Sequence, residues 1–174
     1  MKFEFRHSFA VPPETLWEAL LDPSLERKMA EMTQSSREIV EDTTEGGVTR
    51  RRVRLKSANP AFATVAKMLG SDTVRMDHEL TAHHADRRME WSFVPPGGLT
   101  QLRIHGTISV LPHADGSERV AQGTVEVLLP IVGRTLEGRI VDAMRTMYDK
   151  GAALRRDAFA RAAAPRSEEH TSEL

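Results

Sequence analysis

Two histidines, His7 and His78, and the one tyrosine, Tyr148, are the residues best suited in type to acid–base chemistry. Each histidine interrupts an alternating run whose same-face neighbours are apolar: Phe3, Phe5 and Phe9 around His7, and Val74, Met76 and Leu80 around His78. An imidazole on such a face needs a partner. It either orients the polar end of a ligand or bonds a nearby hydroxyl or backbone group, the ordinary state of a core histidine. His83 and His84 precede Asp86 at a turn. Adjacent strand residues point to opposite faces, so no specific metal site is expected there, and no cofactor is expected elsewhere.

Other chemistries are excluded by residue type. The chain has no cysteine, which removes disulfides, thiolate nucleophiles and cysteine-ligated zinc and leaves the redox compartment open. It contains no phosphate-cradling glycine loop, no HExxH pair and no GxSxG elbow, and no carboxylate pair stands out as catalytic. One basic run exists, Arg50, Arg51, Arg52 and Arg54 with Lys56. Period two aligns Arg50, Arg52, Arg54 and Lys56 on one face, with Glu38 and Asp42 expected opposite Arg54 and Arg50 across a hairpin, so the run reads as a solvated sheet face. A near-neutral chain with few exposed aromatics beside that run does not suit nucleic-acid binding.

The elements that must position these residues follow from periodicity. Residues 3–9 alternate as a first strand, ended by Pro12-Pro13. Residues 13–21 read as a short helix carrying Leu16, Trp17, Leu20 and Leu21, and Asp22-Pro23 caps a second that turns Leu25, Met29 and Met32 inward. Strands over residues 36–42 and 48–56 flank a glycine-containing connection at 43–47, and Asn59-Pro60 opens a helix with Phe62, Val65 and Leu69 inward and Gly70 as its stop. Strands at 73–81, 88–94 and 100–111 follow, with turns at Pro95-Pro96-Gly97-Gly98 and over 112–117.

Near the end, alternation over residues 120–129 meets Pro130 and gives way to a period of 3.6. Leu136, Ile140, Ala143, Met147, Gly151, Leu154 and Ala158 form one stripe. The polar stripe holds Arg134, Glu137, Arg139, Asp142, Arg145, Asp149, Arg155, Arg156 and Arg161. A helix over residues 131–163 runs roughly 50 Å and needs a broad sheet to cover its apolar stripe. If the inner faces of the strands meet that stripe, they enclose an apolar surface on which four methionines fall: Met76, Met89, Met144 and Met147. Unbranched thioethers adapt to varied shapes, although methionine and aromatic stripes are usually filled core.

This order resembles the START-like, or SRPBCC, superfamily of helix-grip folds. The resemblance is carried by Phe9-Ala-Val-Pro-Pro-Glu-Thr-Leu-Trp-Glu-Ala-Leu-Leu-Asp22 and by Val127-Leu-Leu-Pro-Ile-Val-Gly-Arg-Thr-Leu-Glu137, the second of which resembles a bacterial branch of unassigned function. It covers residues 1–163 and implies an α+β architecture: a curved seven-stranded antiparallel sheet wrapped around a long C-terminal helix, with two short helices after strand 1. It also implies a cavity between sheet and helix, placing Met76, His78, Met89, Trp91, Phe93, Leu102, Ile104, Met144, Met147 and Tyr148 as candidate ligand-binding residues, with His78 at a polar end. These motifs specify architecture and carry no catalytic signature, so function rests in part on analogy of fold.

Three readings follow. The first is noncatalytic binding or carriage of an apolar small molecule or lipid. The second is a cyclase- or dehydratase-like enzyme acting on a polyketide-like substrate, with His78, His7 or Tyr148 as acid or base. The third is a protein-interaction module with a filled core. Residues 166–174 resemble the in-frame translation of a sequencing-library adapter and are set aside, which leaves residues 1–165 as a single START-like domain close to electrical neutrality. No run is long and apolar enough for a leader or a membrane span, so cytoplasmic residence without membrane insertion is the expectation.

Overall fold

A computed structural model describes residues 1–58, 63–68, 70–95 and 100–165, without the side chains of Thr64 and Met68. The expectations for Asn59, Pro60, Phe62, Leu69, Pro96, Gly97, Gly98 and the segment 166–174 lie outside the described residues. The elements run β1 (Lys2–Phe9), α1 (Pro13–Leu21), α2 (Pro23–Met32), β2 (Ser35–Glu45), β3 (Val48–Ser57), α3 (Ala63–Met68), β4 (Val74–His83), β5 (Arg88–Val94), β6 (Leu102–His113), β7 (Gly116–Val127) and α4 (Gly133–Ala163). The seven strands form one antiparallel sheet in the order β1-β7-β6-β5-β4-β3-β2. This is the α+β helix-grip architecture.

Local chemistry explains most boundaries. Pro13 opens α1, and the Asp22 carboxylate accepts the Ser24 N–H at 2.8 Å, so one residue ends α1 and caps α2. Leu25, Met29 and Ala30 turn inward, whereas Met32, expected inside, is the last residue of α2 and is exposed. Gly46 and Gly47 alone close the β2–β3 hairpin. Both have positive φ, 57° and 76°, as a two-residue loop requires, so the strands extend farther than periodicity indicated. A register shift between Ile39 and Glu41 then corrects one expected pair: Glu38 faces Arg54, but Asp42 faces Arg51 and Thr43 faces Arg50. Arg50, Arg54 and Lys56 are exposed, with ion pairs from Arg54 to Asp77 at 3.3 Å and from Arg52 to Glu41 at 3.6 Å, as befits a solvated face.

Two glycines let aromatic rings lie flat on the sheet. Gly106 and Gly123 pair across β6 and β7. A Cβ on Gly106 would stand 2.1 Å from the Gln122 carbonyl oxygen and 2.9 Å from the Trp91 ring, and one on Gly123 would stand 2.6 Å from the Phe3 ring. Trp91 consequently packs against Phe3, Phe93 and His78, with ring centroids 6.2, 5.6 and 6.2 Å away.

The passage into α4 differs from its expected form. The helix begins at Gly133, because residues 130–132 turn first, with Ile131 at φ 72° and fully exposed. Gly133 permits the close approach: a Cβ there would lie 2.3 Å from the Val127 carbonyl. Glu137 fixes the same corner by accepting the Val127 N–H at 3.0 Å, and that bond holds its carboxyl below the usual range. From there Leu136, Ile140, Val141, Ala143, Met144, Gly151, Ala152 and Leu154 bury against the sheet and α2, and Arg155 is buried with them rather than on the polar stripe.

Candidate functional site

The sheet and α4 do not close completely on each other. A lobe of about 120 Å³ is lined by His78, Leu80, Met89, Trp91, Phe93 and Ile108 from the sheet and by Met144, Met147, Tyr148 and Gly151 from α4, with Leu20, Glu26, Met29, Arg37, Arg119 and Arg155 completing it. A second lobe of about 70 Å³ lies among Leu55, Val74, Met76, Ile104 and Ile140. Met29, Arg37, Phe93, Met144 and Met147 line both and stand at their junction. Of the ten residues singled out in the sequence, His78, Met89, Trp91, Phe93, Met144, Met147 and Tyr148 face the larger lobe, and Met76 and Ile104 face the smaller. Leu102, only 4 % exposed, is core packing and borders neither lobe.

Polar groups on the larger lobe are short of partners. His78 stacks on Phe93 at 4.7 Å, but neither its ring nitrogens nor the Tyr148 hydroxyl make a hydrogen bond within the protein among the described residues. Burial holds the pKa of His78 down at about 3, with the Arg37 charge acting in the same direction, so the ring is neutral. Burial likewise raises Tyr148 to about 12, opposed by Arg119 and Arg155. The Trp91 indole N–H is buried without a partner.

Three guanidinium groups complete the lobe, and the alternation and stripe arguments missed all three. Arg37 pairs with Glu26 at 2.8 Å, the one carboxylate among the lining residues. Arg119, 3 % exposed, donates to His7 Nδ1 at 3.1 Å and to the Tyr148 carbonyl at 2.9 Å, and its guanidinium lies 4.9 Å from the Tyr148 ring centre. Burial, with Arg155 adding, lowers its pKa to about 10. Arg155, 5 % exposed, donates, among the described residues, only to the Gly151 carbonyl of its own helix, at 3.1 Å. Gly151 makes its room, since a Cβ there would meet that guanidinium at 3.1 Å and the Met29 sulfur at 3.5 Å. Among the described residues neither Arg119 nor Arg155 forms an ion pair, and the Nε of each is buried unbonded.

Two other histidines, His7 and His84, have partners on both ring nitrogens. His7 accepts from Arg119 at Nδ1 and therefore donates through Nε2 to Asp149 at 2.7 Å; burial lowers its pKa, the Asp149 bond opposing and the Arg119 charge assisting. His84 accepts from the Trp17 indole at 3.1 Å and meets Thr49 at 2.7 Å, tying α1 to the sheet. Among the described residues no group of three His, Asp or Glu could hold a metal, and no helix is long and apolar enough to cross a membrane.

Residues 4–157 match the model of DUF2505, described as a protein of unknown function. No curated protein matches the sequence. Solved structures share the fold over nearly the whole chain. TTHA0849 from Thermus thermophilus is 20 % identical with a TM-score of 0.68, covering 94 % of this chain and 100 % of its own. A START superfamily protein from Mycobacterium smegmatis is 13 % identical with a TM-score of 0.61, covering 91 % and 98 %. The ZhuI aromatase/cyclase from Streptomyces sp. R1128 is 12 % identical with a TM-score of 0.58, covering 91 % and 90 %. The fold is thus START-like.

Proposed function

We propose that this chain, which belongs to the DUF2505 family, is a noncatalytic binding protein or carrier for an apolar small molecule held between sheet and α4, with residues 1–165 forming a START-like domain. The observation that carries this reading is the pair of lobes meeting at Met29, Met144 and Met147. Each lobe is smaller than the roughly 300 Å³ at which small-molecule sites begin. A ligand of ordinary size therefore enters by rotating these three unbranched side chains, which have the rotamer freedom to join the lobes without moving backbone. Met76, Met89, Trp91, Phe93 and Ile104 then form its apolar walls, with His78 and Tyr148 presenting unbonded polar atoms. A lipid is one candidate within this class.

Fluorescence tests the reading. In a Trp17→Phe background the remaining indole, Trp91, reports on the cavity, and titration with a panel of hydrophobic small molecules and fatty acids should give saturable changes that Met147→Phe, by filling the junction without adding an indole, abolishes. A folded sample that binds nothing by fluorescence or native mass spectrometry contradicts it.

A second reading has its own support: a neutral, unbonded imidazole and a tyrosine hydroxyl face one lobe, and one of the similar structures is that of an aromatase/cyclase. On that reading His78 takes a proton from a polyketide-like substrate and Tyr148 supplies one. Turnover abolished by His78→Phe and retained in His7→Gln would support it; its absence across a polyketide panel would leave the binding role.

A further inference from the structure

The larger lobe carries more positive charge than its own protein groups neutralise. Arg37, Arg119 and Arg155 line it against Glu26 alone, and Glu26 is engaged by Arg37 at 2.8 Å. His78 and Tyr148 are uncharged there, and Asp149, which bonds His7, is largely exposed. Arg119 and Arg155 are thus two guanidiniums, each at least nine-tenths buried, with unbonded Nε donors and, among the described residues, no carboxylate within ion-pair distance. Leaving a charge buried and unpaired is among the costliest arrangements a protein can hold, and replacing it with an apolar side chain usually relieves the cost. Arg155 makes one hydrogen bond, to its own helix, and feels the charges of Glu26 and Asp22 only at a distance, yet Gly151 leaves the space that lets it reach the lobe.

Building on the binding role proposed above, we infer that the ligand is an amphipathic carboxylate: its anionic head sits in the larger lobe against Arg119 and Arg155, and its apolar body reaches toward Met76, Ile104 and Ile140 in the smaller. The guanidinium fork fits a planar carboxylate with two parallel N–H···O bonds, and the Tyr148 hydroxyl and Trp91 N–H are further donors facing or bordering the same space. Size sets the body. Each lobe is smaller than the cavity of about 150 Å³ that holds one benzene, so even a single ring on a short chain occupies both and requires the junction methionines to rotate.

The test compares 3-phenylpropanoate with its primary amide and its methyl ester, titrated calorimetrically into the full chain, its Arg155→Met variant and its Arg119→Lys variant. The expected result is that the acid binds at least tenfold tighter than either neutral analogue and that Arg155→Met removes that preference, weakening the acid at least tenfold more than it changes either neutral analogue. Without ligand, Arg155→Met should melt higher than the parent, which a purely structural arginine would not do. Arg119→Lys keeps the charge but loses the fork and should lower affinity for the acid alone. Equal binding of acid and neutral analogues by the parent overturns the anion inference and leaves the apolar-binding role standing. An acid preference that survives both substitutions overturns the assignment to these two arginines. Binding of none of the three, nor of longer-chain homologues, overturns the binding role itself.

Discussion

Acid should destabilise this protein through His78 well before its carboxylates titrate. The ring has a pKa of about 3 in the folded state against about 6.5 unfolded, because it is buried beside the Arg37 charge. With the folded value depressed, the unfolded chain binds the proton first, so the stability contributed by His78 is complete above pH 6.5 and declines as pH falls toward 3. The slope is about 1.4 kcal/mol per pH unit, which gives about 2 kcal/mol between about pH 6.5 and pH 5. His7, also depressed, acts with the same sign. Glu4, Asp22 and Glu137, whose pKa values are lowered, lose their contributions only as pH falls below the ordinary carboxylate range, outside this window. Urea denaturation at half-unit steps from about pH 7.5 to 5 should show the decline in the parent and a shallower one in His78→Leu, the difference between them growing by about 2 kcal/mol. A difference independent of pH would refute the buried, neutral imidazole and with it the geometry of the larger lobe.

Replacing Ile140, 1 % exposed on the sheet-facing side of α4, by Asp buries a carboxylate without a partner and should cost at least about 3 kcal/mol in chemical denaturation. Gly106→Ala puts a Cβ 2.1 Å from the Gln122 backbone oxygen, so β6 and β7 must separate locally; a loss of about 2 kcal/mol or more is expected, with a change in Trp91 fluorescence. Deleting residues 166–174 should leave the stability measured by denaturation within about 0.5 kcal/mol, and a larger shift would show that the tail packs on the domain.

Periodicity sufficed wherever one face of an element is apolar and the other wet. The spans of α1 and β5 follow directly from it, as do the inward faces of β4 and β6. It failed where a turn is tighter than its composition indicates. Residues 112–117 read as a loop, but Pro112 pairs with Ser117 and His113 with Gly116 around a two-residue turn, so β7 begins four residues earlier than expected. That shortening hid Arg119, which shares the inward parity of Ala121 and Val125 and would have been found by extending the strand. Arg155 was hidden by its type: it stands four residues after Gly151, on the buried stripe, and was assigned to the solvated side because it is charged. Arginines placed on an apolar face by period alone were the missed signal of the site's charge. The register shift in β2 and the exposed reversal at Ile131 leave no mark in hydrophobic pattern, because they arise from pairing geometry and helix docking.

The central claim, a ligand entering between sheet and α4 by displacing methionines, is tested most directly by the methyl NMR signals of methionine-labelled protein titrated with 3-phenylpropanoate. Met29, Met76, Met89, Met144 and Met147 line the lobes, whereas Met1 and Met32 are exposed away from them. Saturable shifts of the five lining methyls, with Met1 and Met32 unmoved, are predicted; a spectrum unchanged at saturating probe, or shifts confined to Met1 and Met32, would contradict the account.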